Sequence, residues 1–149
     1  MKTNKPDFVV RRVDRSHDAT LENLFEHYLH DMAEWFQFDY GPQGRYGMDM
    51  ATYWNNGNGV EAWIAYAGDV PIGFALVQSA RAFDDANAKD MEEFFVVRRH
   101  RRSGVGRDFA RRIWDTYPGR WLVRVFQGNV PAVPLVAAKK LFPSAVTSY

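Results

Sequence analysis

Three carboxylates, Asp90, Glu92 and Glu93, stand just ahead of a glycine- and arginine-rich turn in the segment EEFFVVRRHRRSGVGRDFARRIW, residues 92–114. Residues of these types, in this order, can hold an anion and move a proton. Gly104 and Gly106 remove side chains where backbone amides must face a ligand. The helix that follows adds unpaired N–H groups and the positive end of its dipole. Arg101, Arg102 and Arg107 add countercharge, so the turn reads as a pyrophosphate cradle with candidate proton acceptors immediately upstream.

Placing such a cradle requires a strand before it and a helix after it. Residues 91–97 are apolar enough for the strand, and a helix runs from about Gly104 to Tyr117, where Pro118-Gly119 ends it. Upstream, residues 8–13 alternate apolar and basic character as an edge or half-buried strand does. Ser16 or Asp18 can cap a first helix, on which Leu21, Leu24, Phe25, Tyr28, Leu29 and Met32 share one face. Residues 35–46 are rich in aromatics but broken by Gly41-Pro42 and Gly44, which predicts a short helix and a loop with exposed rings. Residues 61–67 and 72–79 form two strands joined by the turn Gly68-Asp69-Val70-Pro71, paired antiparallel. A polar loop over residues 84–89 leads to the central strand. Residues 121–126 form a further strand, and Pro131 opens a last helix reaching toward Leu141.

At 149 residues, 15% of them aromatic, the chain suits one domain with a real core, and no linker or repeat divides residues 1–149. The formal charge of +1 conceals a basic run from Arg98 to Arg112 beside an acidic stretch. With no cysteine there is no disulfide framework, thiolate nucleophile or cysteine-ligated zinc site. His17, His27, His30 and His100 lack metal-ligand spacing, so no metal is expected. No signal core or membrane-spanning run is present, which leads to the expectation of a cytoplasmic protein without a membrane partner. Arg98, Arg99, Arg101, Arg102, Arg107, Arg111 and Arg112 could form a nucleic-acid patch, but a phosphate-backbone binder has no need of glycine at both 104 and 106. The dinucleotide fingerprint G-x-G-x-x-G is set aside because its third position is Phe109.

The order strand, helix, hairpin, strand, glycine-rich turn, helix, strand, helix resembles the GNAT superfamily of N-acetyltransferases. Val96, Arg101, Gly104 and Gly106 meet its acetyl-CoA motif in register. The resemblance covers nearly the whole chain and implies an α/β (α+β) fold, a mixed, mostly antiparallel central sheet flanked by helices, with the C-terminal strands shortened or absent. It implies acetyl-CoA as cosubstrate and a primary amine as acceptor, with no nucleic acid involved. The amides of Arg102, Ser103, Gly104, Val105, Gly106 and Arg107 would hold the pyrophosphate. The exposed backbone of Phe95, Val96 and Val97 would pair with pantetheine like an added strand, and Asn129 would contact the pantetheine arm or thioester end.

Acetyl transfer to an amine needs a neutral nucleophile, a polarised carbonyl and a route for protons. A lysine-like amine with a pKa of about 10.4 is almost wholly protonated at neutral pH, so a carboxylate must take its proton, directly or through water. Alternation along a strand puts Asp90 and Glu92 on one face and Glu93 on the other. Glu92 is the first choice of base and Asp90 the second. A backbone N–H of the same strand would donate to the thioester oxygen. Asp31, Glu34, Trp35, Asp39, Tyr40 and Tyr46 could line a pocket for a cationic amine. After Asn129 the chain departs from the family's pattern. Ala132 fits, but Leu135 and Val136 stand where a tyrosine often reprotonates the thiolate, and Pro134 falls in an early helical turn. Residues 142–149 leave room for one short strand. A shortened chain, a diverged end and a homodimer in which a partner supplies the missing edge are the three readings of that departure. A non-catalytic acyl-CoA-binding module of the same fold is the alternative function.

Overall fold

The computed structural model describes residues 4–125 and 144–148. Strand β1 (Val9–Val13) leads into helix α1 (Asp18–Met32), a short helix α2 (Ala51–Trp54), strands β2 (Glu61–Ala67), β3 (Val70–Ala80) and β4 (Asp85–Val96), helix α3 (Val105–Thr116), and strands β5 (Trp121–Val125) and β6 (Ser144–Ser148). The strands form one six-stranded sheet in chain order. β1 to β4 pair antiparallel, whereas β5 lies parallel to both β4 and β6. This is the mixed, mostly antiparallel sheet expected, closed among the described residues by a short last strand.

Two apolar clusters, one on each face, hold the helices to the sheet. On one face Val105, Phe109, Ala110, Ile113 and Trp114 of α3 pack on Ala75, Val77, Met91, Trp121 and Val123. Their spacing of three and four residues makes a single helical stripe. On the other face Leu21, Leu24 and Phe25 of α1 meet Ile64, Phe74, Leu76 and Phe95, with Met50 ahead of α2. Phe25 sits 4.7 Å from Phe74, centroid to centroid, so ring packing fixes α1 over the middle of the sheet.

Several boundaries differ from the sequence expectation for identifiable reasons. The polar residues 85–89 belong to β4 rather than to a loop, because β3 offers them partners: Ser79 pairs with Lys89 and Ala80 with Asp85. The hairpin turn is only Gly68-Asp69, with Gly68 at φ 61° and Val70 already in the strand. Neither Ser16 nor Asp18 caps α1. Asp14 accepts from the Ser16 N–H ahead of it, while Asp18 accepts from the Trp54 indole at 2.8 Å. No helix forms within residues 35–46, where one was expected; the short helix α2 is a separate segment further on. The helix expected from Pro131 lies outside the described residues.

Candidate active site

The two strands that would have to open for a ligand do so at one residue. Across β3 and β4, Leu76 faces Glu93 and Val77 faces Met91, which leaves Glu92 as the extra residue of a β-bulge. On the other side of β4, pairing with β5 runs from Lys89 to Met91 and goes no further among the described residues. A bulge adds a bend and local twist, so β4 turns away from β5 where its acidic residues lie. Beyond it, the Val97 N–H donates to the Ile72 carbonyl at 2.9 Å. Alternation of antiparallel hydrogen bonding then turns Phe95 toward β3 as well, and directs the N–H and C=O of Phe94 and the N–H of Val96 to the opened edge, the Val96 carbonyl accepting from Arg101. The expected backbone contact at Phe95, Val96 and Val97 is thereby narrowed: of those three, only Val96 faces the opening.

Three-residue turn Arg98–His100 carries the chain from β4 toward α3. Arg102 adopts a left-handed conformation at φ 59° and Gly104 another at φ 93°, which orients the amides that follow. The helical ladder begins with Asp108 donating to the Gly104 carbonyl, so the N–H groups of Val105, Gly106 and Arg107 lie in the first turn of α3, ahead of that ladder. Ser103 is buried and its hydroxyl donates to the His100 carbonyl at 2.6 Å, which fixes the turn from within. A Cβ at Gly106 would meet Val96 and Phe94 only at ordinary contact distances, so the fold does not itself demand glycine there. Backbone amides at a helix start, with glycine at two positions, are of the type that suits a diphosphate. Lys5 reaches this turn from the N-terminal segment and pairs with Asp108 in the first turn of α3.

Arg101 behaves differently from the countercharge expected of it. Its guanidinium is engaged by Asp31, and its Nε donates to the Val96 carbonyl at 2.9 Å while the group lies over the Phe95 ring. Arg98 also donates to Asp31, at 2.6 Å. Burial alone would raise the Asp31 pKa, but hydrogen bonds and charge from Arg101 and Arg98 outweigh it and hold the carboxyl below its ordinary value. Arg112 donates to the Phe8 carbonyl and covers the Phe8 ring. The basic run is therefore partly tied into the fold, while Arg102 and Arg107 remain exposed at the glycine-rich turn.

The bulge also rearranges the acids. Leu76 belongs to the α1-side cluster, so its partner Glu93 shares that face, where it accepts from Tyr28 at 2.5 Å and Tyr53 at 2.9 Å. Gln78, paired with Asp90, donates to both Asp90 and Glu92. All three carboxylates therefore gather on one face, and simple alternation, which sent Glu93 to the other, fails because the bulge places two residues opposite one. Burial chiefly, then the charge and hydrogen bond of Glu93, push the Tyr28 phenol well above its usual pKa. Tyr28 had registered in sequence only as part of an apolar stripe. Gln78 carried a signal of its own, a lone amide in the apolar run of β3.

Two adjoining clefts of 530 and 440 Å³ lie between the C-terminal half of α1, the aromatic loop and the end of β4. They share His30, Asp31, Tyr40 and Arg98. Glu34, Asp39 and Tyr46 line the second, whereas Trp35 lines neither. Tyr40 donates to or accepts from His30 at 2.8 Å and packs 4.4 Å from Tyr46. Asn129 lies outside the described residues. Among those described, no group of His, Cys, Asp and Glu could hold a metal ion, and no helix is long and apolar enough to cross a membrane.

Residues 29–139 match the profile of the acetyltransferase (GNAT) family. No curated protein matches the chain. Among solved structures, the chain is similar to an aminoglycoside acetyltransferase, meta-AAC0020, from an uncultured soil metagenomic sample in complex with sisomicin. That match has a TM-score of 0.66 and 11% identity, over 89% of this chain and 87% of that one. It is also similar to an acetyltransferase from Vibrio fischeri, with a TM-score of 0.55 and 18% identity over 77% of this chain and 93% of that one. A ribosomal-protein-alanine N-acetyltransferase from Brucella melitensis biovar Abortus 2308 follows at 0.53 and 11%, over 95% and 80%. At these identities the likeness is one of fold.

Proposed function

We propose, for a chain that belongs to the acetyltransferase (GNAT) family, that it transfers an acetyl group from acetyl-CoA to a primary amine of a small molecule or protein by direct attack. The observation that carries this reading is the parting of β4 from β5 at the Glu92 bulge, followed by the row of amides at the start of α3. Acetyl-CoA would supply the thioester-activated acetyl group. The amides of residues 102–107 would hold its pyrophosphate, and the Phe94 and Val96 edge of β4 would receive the pantetheine arm as an added strand.

Glu92 is assigned as the proton acceptor for the incoming ammonium, with Asp90 as the second candidate. The Val96 N–H would donate to the thioester oxygen as charge develops there. The amine would arrive through the clefts beside α1, where Phe95 and Val97 bring the wall to the end of β4 and Glu34 and Asp39 supply carboxylates suited to a cation.

The test is CoA release from acetyl-CoA against a panel of aminoglycosides, polyamines, amino acids and peptide N-termini, with thermal melting alongside. Glu92→Gln should lower kcat by about 100-fold or more while leaving the acetyl-CoA Kd within about twofold. Stabilisation by acetyl-CoA without release on any amine would favour the non-catalytic module. An unchanged melting temperature at high acetyl-CoA concentration would sink both readings.

A further inference from the structure

We infer that Gln78 is a positioning residue for the proton acceptor, an amide whose orientation is dictated from outside the site and which holds the Asp90 and Glu92 carboxylates together. The inference rests on the reading of Glu92 as the base.

A chain of hydrogen bonds settles which end of each amide points where. The Asn58 N–H, which can only donate, gives its proton to Asn56 Oδ1 at 2.8 Å. That leaves Asn56 Nδ2 as the end facing Gln78, and it donates to Gln78 Oε1 at 2.9 Å. Gln78 Nε2 is therefore the end facing β4, where it donates to Glu92 Oε2 at 3.1 Å and Asp90 Oδ2 at 3.3 Å. The Asn58 carbonyl in turn accepts from the Ser79 N–H at 2.9 Å, which pins the segment carrying Asn56 to β3. Gln78 is 5% exposed and Asp90 fully buried, so the amide cannot readily exchange these partners for water.

Two carboxylates brought together repel each other, and one or both bind protons more readily unless donors face them. Gln78 supplies a donor to both at once. Titratable groups on this face among the described residues include Glu93 on β4, Tyr28 on α1, Tyr53 on α2 and Tyr66 on β2; Leu122 of β5 lies opposite Asp90. The Tyr28 and Tyr53 phenols donate to Glu93, and the Gln78 amide joins Asp90 to Glu92.

The test follows the Glu92 carboxyl carbon by ¹³C NMR in glutamate-labelled protein, assigned with Glu92→Gln, so that it needs no acceptor. Gln78→Leu should raise the apparent titration midpoint of Glu92 by about one pH unit, and Gln78→Glu by more, since it adds a carboxylate. Asn56→Asp, which removes the donor that orients Gln78 from a less buried position, should move the midpoint in the same direction by a smaller amount. With an amine that supports turnover, the acid limb of kcat/KM should move with it, while the acetyl-CoA Kd stays within about twofold. An unchanged Glu92 midpoint in Gln78→Leu and in Asn56→Asp, both still stabilised by acetyl-CoA, would overturn the positioning role. A shifted midpoint together with a fully active Glu92→Gln would keep the coupling between Gln78 and Glu92 but move the base elsewhere and overturn Gln78 as its positioning residue.

Discussion

The cradle can be tested by separating conformation from charge at Gly104. Its φ of 93° is left-handed, and a Cβ there would find only the Lys5 side chain, at 3.6 Å, so backbone conformation rather than space opposes substitution. Asn and Asp tolerate this conformation best among the L-residues and have the same shape. Gly104→Asn and Gly104→Asp should therefore each lose about 1–2 kcal/mol, or ~2–8 °C in Tm for a domain of this size. Asp should be no worse than Asn without ligand, because a carboxylate at a helix start is favourable. With acetyl-CoA the two diverge. A carboxylate about 5 Å from one phosphate charge costs about 3.3 kcal/mol at an effective dielectric of 20 and about 0.8 kcal/mol at 80. Gly104 is exposed, so the loss lies between these limits for each phosphate charge, and two phosphates bring it to tenfold or more, roughly. In melting experiments, ligand at about 100 times Kd stabilises by about 2.7 kcal/mol; a hundredfold weaker complex retains about 0.4 kcal/mol. Calorimetric titration of both variants measures the difference directly, and added salt should shrink it. Equal acetyl-CoA affinity for Asn and Asp would refute the placement of a phosphate against these amides.

Two further outcomes follow from the acids and their partners. Asp31→Asn should cost roughly 1–3 kcal/mol at neutral pH by weakening both arginine contacts. Because the folded-state pKa of Asp31 is depressed, its contribution is present above the ordinary carboxylate pKa and is lost as pH falls through the lowered value, so melting curves of variant and wild type should converge in acid. Tyr28→Phe should cost about 1–2 kcal/mol by removing a donor to Glu93. The raised Tyr28 pKa implies stability that is complete below about pH 10 and declines as pH climbs toward the folded value. That alkaline decline should be smaller in Tyr28→Phe, and equal slopes would contradict the burial argument.

The glycine-rich strand-to-helix turn and the order of elements were legible in the residues because both depend on local rules. Glycine spacing, a strand running into a helix, and stripes at three and four residues are written in neighbouring positions, and the observed α1, β2 and α3 lie within a few residues of where those rules put them. The fate of the three acids was not local. Alternation alone separates Glu93 from Asp90 and Glu92, whereas pairing β3 against β4 makes Glu92 the extra residue of a bulge and brings all three to one face. Nor could the run of arginines say which of them meet Asp31, a residue some seventy positions away from Arg101. Gln78 shows the same division: its polarity stood out within an apolar strand, but only the packing of the 55–60 segment onto β3 turned its donor end to the carboxylates. Residue types and short spacings determined what chemistry this chain could support, since helix starts, turns and stripes are set by nearby dihedrals. Which acids share a face, which arginines remain at the cradle and where β4 opens were decided by strand register and side-chain packing between distant segments.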